Sequence, residues 1–175
     1  MKNKIVMLSI ILASTYCAKG FGQTTSQEMM ATPNCLASGK NIQINNEAVL
    51  QWKNSTKNQY RNRAHIQGTL IKDLPDHSGH HHYEIQIGAS PNDVIEVIYN
   101  EQFGPVPNAA AGSEFEAYGD YITSNAPASH SPASPVGAIV HWVHKSPNPK
   151  SHDSGFLVVK SVLCGQDSNG AGPKH

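Results

Sequence analysis

Charge is scarce in this sequence: lysine, arginine, aspartate and glutamate make up only 15% of its 175 residues. No run of lysine or arginine marks a basic face, which argues against a general nucleic-acid binder. Cysteine is rare as well, with three in the chain and no closely spaced pair to offer zinc thiolates. There is no GxSxG nucleophile turn and no glycine loop of the phosphate-binding kind. Helical periodicity is almost missing, being convincing in one segment only. No apolar run reaches the ~20 residues of a membrane span.

The longest apolar stretch, residues 5–18, follows Lys2 and Lys4 and has the length of a signal-peptide core. Gly20-Phe21-Gly22 supplies small residues where a signal peptidase reads, so residues 1–22 are predicted to be a Sec signal peptide. The product is then periplasmic or extracellular, with no membrane span in the mature chain. A lipoprotein anchored at Cys17 is the rival, and bulky Tyr16 stands against it. Loss of Lys2, Lys4 and Lys19 leaves 10 basic against 13 acidic residues, a net of −3. Residues 23–33 read as a flexible polar segment, 34–165 as a single domain and 166–175 as a polar tail.

Cleavage leaves Cys35 and Cys164, near the two ends of that domain. In an oxidising compartment a disulfide between them is the expectation. Closing so long a loop would contribute roughly 4 kcal/mol.

With 14 glycines and 11 prolines the chain is rich in loops. The one helix is predicted at 46–53, where Ala48, Val49 and Trp52 repeat at helical spacing behind Asn45 or Asn46 as a cap. Trp52 reads as a core anchor. Alternating or apolar strand patterns follow at 65–73, 81–88, 94–99, 113–123, 138–144 and 156–163. Leu74-Pro75-Asp76 reads as the break that ends the first, and 94–99 is apolar on both faces, as a central strand would be. Residues 124–135 form a low-complexity surface loop with His130 solvated in it. One helix and about six strands predict a mainly β fold: a small antiparallel OB-like barrel, with a β-sandwich as the alternative.

Candidate chemistry lies in the ten histidines. Residues 137–156, GAIVHWVHKSPNPKSHDSGF, hold His141, His144 and His152. A second cluster is His77 and His80, His81 and His82. On a regular strand His141 and His144 point to opposite faces, so either a bulge re-aims one or they do different jobs. His81 shares its face with Tyr83, Ile85 and Ile87, and is expected at the inner mouth of the barrel. Imidazole is a leading ligand for zinc and other divalent transition metals. A site from His141 or His144, His152 and one of His80–His82 is chemically reasonable, with Asp76, Asp153 or Glu84 as a further ligand or orienting partner. Three ligands and an open position would activate water. Trp142, with Tyr118 and Tyr121, is the candidate stacking surface for a ligand ring.

These residues resemble a bacterial family of small exported proteins known as a domain of unknown function. Its members carry a block similar to GGVIHWTHHDP, then a histidine and a Gly-Trp pair. Here the counterpart is GAIVHWVHKSP at 137–147, then His152 and Gly155-Phe156. Gly79-His80-His81-His82-Tyr83 resembles the family's upstream turn, and FEAYGDY at 115–121 its central strand. The resemblance spans roughly residues 64–160. The chain departs from it at Lys145 and Ser146, where the family carries His and Asp. The resemblance implies an exported single domain and no particular reaction.

The sequence therefore points to a secreted β protein with a histidine-lined site for zinc or another divalent transition metal, hydrolytic if the ion holds water. The alternative is a metal-free OB-like module that holds an oligosaccharide, a nucleic acid, or a host or envelope protein.

Overall fold

The computed structural model describes residues 32–129 and 131–167. The expected signal peptide, Cys17, most of the 23–33 segment, His130 and the tail from 168 lie outside the described residues. Among the described residues no helix is long and apolar enough to cross a membrane.

The fold is mainly β with one helix. A short hairpin, β1 (Leu36–Ala37) and β2 (Lys40–Asn41), precedes α1 (Asn46–Ser55). Then come β3 (Arg61–His77), β4 (His80–Gln86), β5 (Val94–Asn100), a 3-10 turn (Glu101–Phe103), β6 (Glu114–Thr123), β7 (Ala138–His141), β8 (Phe156–Val159) and β9 (Val162–Cys164). Strands β3 to β9 form one seven-stranded sheet in the order β3-β4-β5-β7-β6-β8-β9, and β3 also pairs with β6. All pairings are antiparallel except that of β5 with β7.

Strand β3 serves two neighbours. Arg61 to Thr69 run beside β6, and Thr69 to His77 run beside β4. Gly68 sits at the changeover, where a Cβ would collide with the Gln86 carbonyl oxygen. Glycine is therefore what lets the β4 backbone close onto β3. Pro75 does not end this strand. The ladder slips between Leu74 and His77 instead, and the bulge absorbs the missing N–H.

The inner face is apolar. Ile66, Leu70, Ile85, Ile95, Val97, Tyr99, Phe115, Tyr121, Val140 and Leu157 are all buried in one cluster. Full burial of each aliphatic side chain contributes about 1.5–3 kcal/mol. Helix α1 closes this core with Val49, and Trp52 packs on Tyr121 with ring centres 5.3 Å apart. Asn45 precedes α1 without a side-chain cap bond. Its Oδ1 accepts from the His65 N–H at 2.8 Å, and Asn46 reaches Gln67 and Ile87, so both asparagines moor the helix to the sheet.

The expected disulfide is not formed. Cys35 packs with Tyr118 and Phe156, while Cys164 lies in the main core opposite Leu157. Phe156 and Leu157 are successive residues of β8 and face opposite ways, which places the two buried thiols on opposite sides of the sheet. Cys35 Sγ lies 3.8 Å from His65 Nε2, which also meets Glu116 at 2.8 Å. The single strand expected at 156–163 is a hairpin. Lys160 and Ser161 both have positive φ, 50° and 67°, and turn the chain between β8 and β9.

Candidate functional site

Strand β7 ends at His141, and the next residue, Trp142, has a φ of +52°. One left-handed residue resets the alternation, so Val140 and Val143 are both buried in the core although three positions apart. This is the bulge that strand geometry requires if His141 and His144 are to share a site. Gly155 makes room for it, since a Cβ there would strike the carbonyl oxygens of Tyr118 and Trp142.

The bulge gathers a chain of rings. His80 and His141 have centres 5.7 Å apart, and His141 stacks on Trp142 at 4.6 Å. Trp142 stacks on His152 at 5.4 Å, and His152 meets His144 edge-on at 5.2 Å. His144 in turn lies flat on Phe103 at 3.6 Å. The loop bearing His152 is held by Arg63, whose Nη2 donates to the Ser154 carbonyl at 2.8 Å and whose Nη1 pairs with Asp120.

The Nδ1 atoms of three of these imidazoles are committed to backbone. His80 Nδ1–H donates to the Ser78 carbonyl at 3.0 Å, His144 Nδ1–H to Lys145 at 2.9 Å, and His152 Nδ1–H to Asp153 at 2.9 Å. A carbonyl only accepts, so each neutral ring carries its proton on Nδ1 and keeps a lone pair on Nε2. Burial, and then the neighbouring His80, His144, His82 and His152, push His141 down from 6.5 to about 3. Burial lowers His144 as well, against the Lys145 carbonyl bond. His141 is thus an uncharged ring at neutral pH, able to serve as a ligand without losing a proton.

His81 stands apart from this set. It lies on the inner-face side with Tyr83, as its parity requires, at the end of β4. Its Nδ1 meets Asp76 at 3.1 Å and its Nε2 meets Glu101 at 2.9 Å. Among the described residues these three form a group that could hold a metal ion, with ligand atoms within 4.8 Å of one another. An imidazolium that donates to both carboxylates satisfies the same geometry.

The three candidate stacking residues share no face. Tyr121 is fully buried beside Trp52, and Tyr118 is buried with its hydroxyl donating to the Leu36 carbonyl. Trp142 is engaged by His141 and His152, with the Arg61 guanidinium 5.7 Å from its ring centre.

A cleft of about 610 Å³ opens beside His141 on the outer face of β5 and β7. One wall is the end of the β3–β4 hairpin, and the other is the 131–135 part of the low-complexity loop. Glu96, Ile98, Ile139 and His141 line it, with Arg61 and Trp142 also bordering it. Glu96 is buried and accepts from His82 Nδ1–H at 2.6 Å. A carboxylate inside the apolar run VIEVIY was the sequence signal for this pair. Phe103 and Arg63, which set the positions of His144 and His152, carry no comparable signal.

No protein-family model, no curated protein and no solved structure matches this chain.

Proposed function

We propose that the protein binds one divalent transition metal ion, such as zinc, through His80, His141, His144 and His152. The observation that carries this reading is the shared tautomer. Three of the four rings donate Nδ1–H to a backbone carbonyl and present Nε2, the orientation that ligating histidines adopt. Two imidazoles on one tetrahedral ion at about 2.1 Å have ring centres about 5 Å apart. The pairs His144–His152 at 5.2 Å and His80–His141 at 5.7 Å are each close to that spacing. Trp142, stacked on both His141 and His152, links the two pairs, so bringing all four rings onto one ion requires the Trp142 ring to shift. With three of these rings as ligands and water in the fourth position, the ion would lower the pKa of that water towards neutrality and permit hydrolysis.

The scaffold we infer is a small closed barrel of the OB-like kind. Support comes from the circuit of pairings β3–β4–β5–β7–β6 and back to β3, with β5–β7 parallel. A circuit leaves no free edge within those five strands, as two stacked sheets would.

The test is calorimetric titration of chelator-stripped protein with zinc, copper and nickel. One ion per chain is expected, with binding abolished by His141→Ala, weakened by His152→Ala and unchanged by His81→Ala. Binding that survives His141→Ala but is lost with His81→Ala would move the site to Asp76, His81 and Glu101. Absence of binding would end the metal reading.

A further inference from the structure

One buried hydroxyl beside the histidines has no partner. Ser146 is 9% exposed, and its Oγ is the one buried side-chain polar atom without a hydrogen bond among the described residues. The other buried polar side chains are engaged: Thr123 with Tyr121 and Thr56, Ser124 with the Ser134 N–H, Glu96 with His82, and His144 with the Lys145 carbonyl. An unsatisfied buried hydroxyl costs stability, and native structures keep few of them.

Its place in the fold is specific. Ser146 follows His144 by two residues, and exposed Lys145 separates the two buried positions. This alternation puts His144 and Ser146 on the same inward side of an extended segment. The His144 Nδ1–H donates to the carbonyl of the peptide that joins Lys145 to Ser146, which turns the ring towards the serine. The Ser146 N–H donates to Ser154 Oγ at 3.0 Å, and the Gly155 N–H donates to the His144 carbonyl at 2.7 Å. Ser146 therefore stands at the base of the loop that carries His152, beside the two rings that meet at 5.2 Å. A hydroxyl there has a proton to donate, and a ligand bearing negative charge gains most from it.

We propose that Ser146 is the positioning residue for the exchangeable ligand of the ion, its Oγ–H donating to a water or small anion bound beside His144 and His152. This rests on the metal reading and adds the protein partner of the position that the histidines leave open.

The test uses chelator-stripped protein loaded with cobalt(II), whose visible absorption responds to its ligands, and titrated with sodium azide at neutral pH. A saturable spectral change is expected. Ser146→Ala should take up cobalt with the same stoichiometry but bind azide roughly tenfold more weakly, as loss of one charge-assisted hydrogen bond gives. Ser146→Thr, which keeps the hydroxyl, should restore most of the azide affinity. Without metal, Ser146→Ala should melt no lower than the wild type, because the hydroxyl it removes is unpaired. A serine that only packs the loop gives the reverse pattern, with a lower melting temperature and azide binding unchanged. Azide binding indifferent to Ser146→Ala, bound cobalt that does not respond to azide, or a lower melting temperature of the stripped variant would each overturn this proposal and leave the metal reading standing. Failure of cobalt to bind the wild type would overturn both.

Discussion

The His144 imidazole lies face to face with the Phe103 ring, with centres 3.6 Å apart and planes 11° apart. Phe103 comes from the short 3-10 turn after β5, whereas His144 follows the bulge after β7. The stack therefore ties two segments distant in sequence and sets the direction in which His144 presents its Nε2. Phe103→Leu should keep the core filled, at about 1 kcal/mol, yet loosen the ring and weaken zinc binding several-fold. Phe103→Ala should cost about 3–5 kcal/mol in addition. Urea unfolding beside calorimetry separates the two effects.

Stability of the metal-stripped protein should fall in acid. The ordinary value for His141 is 6.5 and its folded value is about 3. Above pH 6.5 both folded and unfolded chains hold a neutral ring, and this residue contributes nothing to the slope. Below it the unfolded chain takes up a proton that the buried site refuses, and stability drops until about pH 3. The full difference is on the order of 5 kcal/mol. Unfolding curves between pH 7 and pH 4 should flatten in His141→Gln. An equal slope in wild type and variant would count against a buried neutral ring.

Both described cysteines should remain thiols that react only on unfolding. Burial, and then Glu116, raise Cys35 to about 11, and burial with Asp167 raises Cys164 to about 11. At pH 8 only about one thiolate in a thousand is present. Alkylation under native conditions should leave both unlabelled, and alkylation in denaturant without reductant should label both. Retention of a Cys35–Cys164 bridge in intact mass would contradict the arrangement of the sheet. Since the folded values lie above the ordinary thiol value, these groups contribute stability below pH 9 that is lost as the pH rises towards 11.

Gly68 should be irreplaceable. Alanine there would drive a methyl group into the Gln86 carbonyl, where both partners are backbone and neither can rotate away. Gly68→Ala should destabilise by about 2–3 kcal/mol and open the junction of β3, β4 and β6. Gly39→Ala, in open space, should cost no more than about 1–2 kcal/mol for its left-handed φ of 75°. Thermal unfolding of the two variants, read together, isolates the clash from the loss of glycine.

Much of the fold was legible because alternation and apolar runs are local properties. Residues 94–99 read as a central strand because apolar residues fall on both faces, and the strand found there, Val94–Asn100, is paired on both sides. The face of His81 follows from counting in twos from Tyr83. The register slip at Pro75 was not legible, because whether a proline ends a strand or bulges it depends on the neighbour across the ladder. The same holds for Lys160 and Ser161, a turn without glycine or asparagine.

The sequence by itself determined a β-rich domain with one amphipathic helix, and it determined that His141 and His144 could meet only through a bulge, since side chains of a strand alternate. Tertiary structure decided the rest. It placed Cys35 and Cys164 on opposite faces, buried Tyr118 and Tyr121, and brought His80 from β4 to within 5.7 Å of His141 on β7. Those outcomes depend on which strands lie side by side, and that is settled by packing between distant segments rather than by the pattern within any one of them.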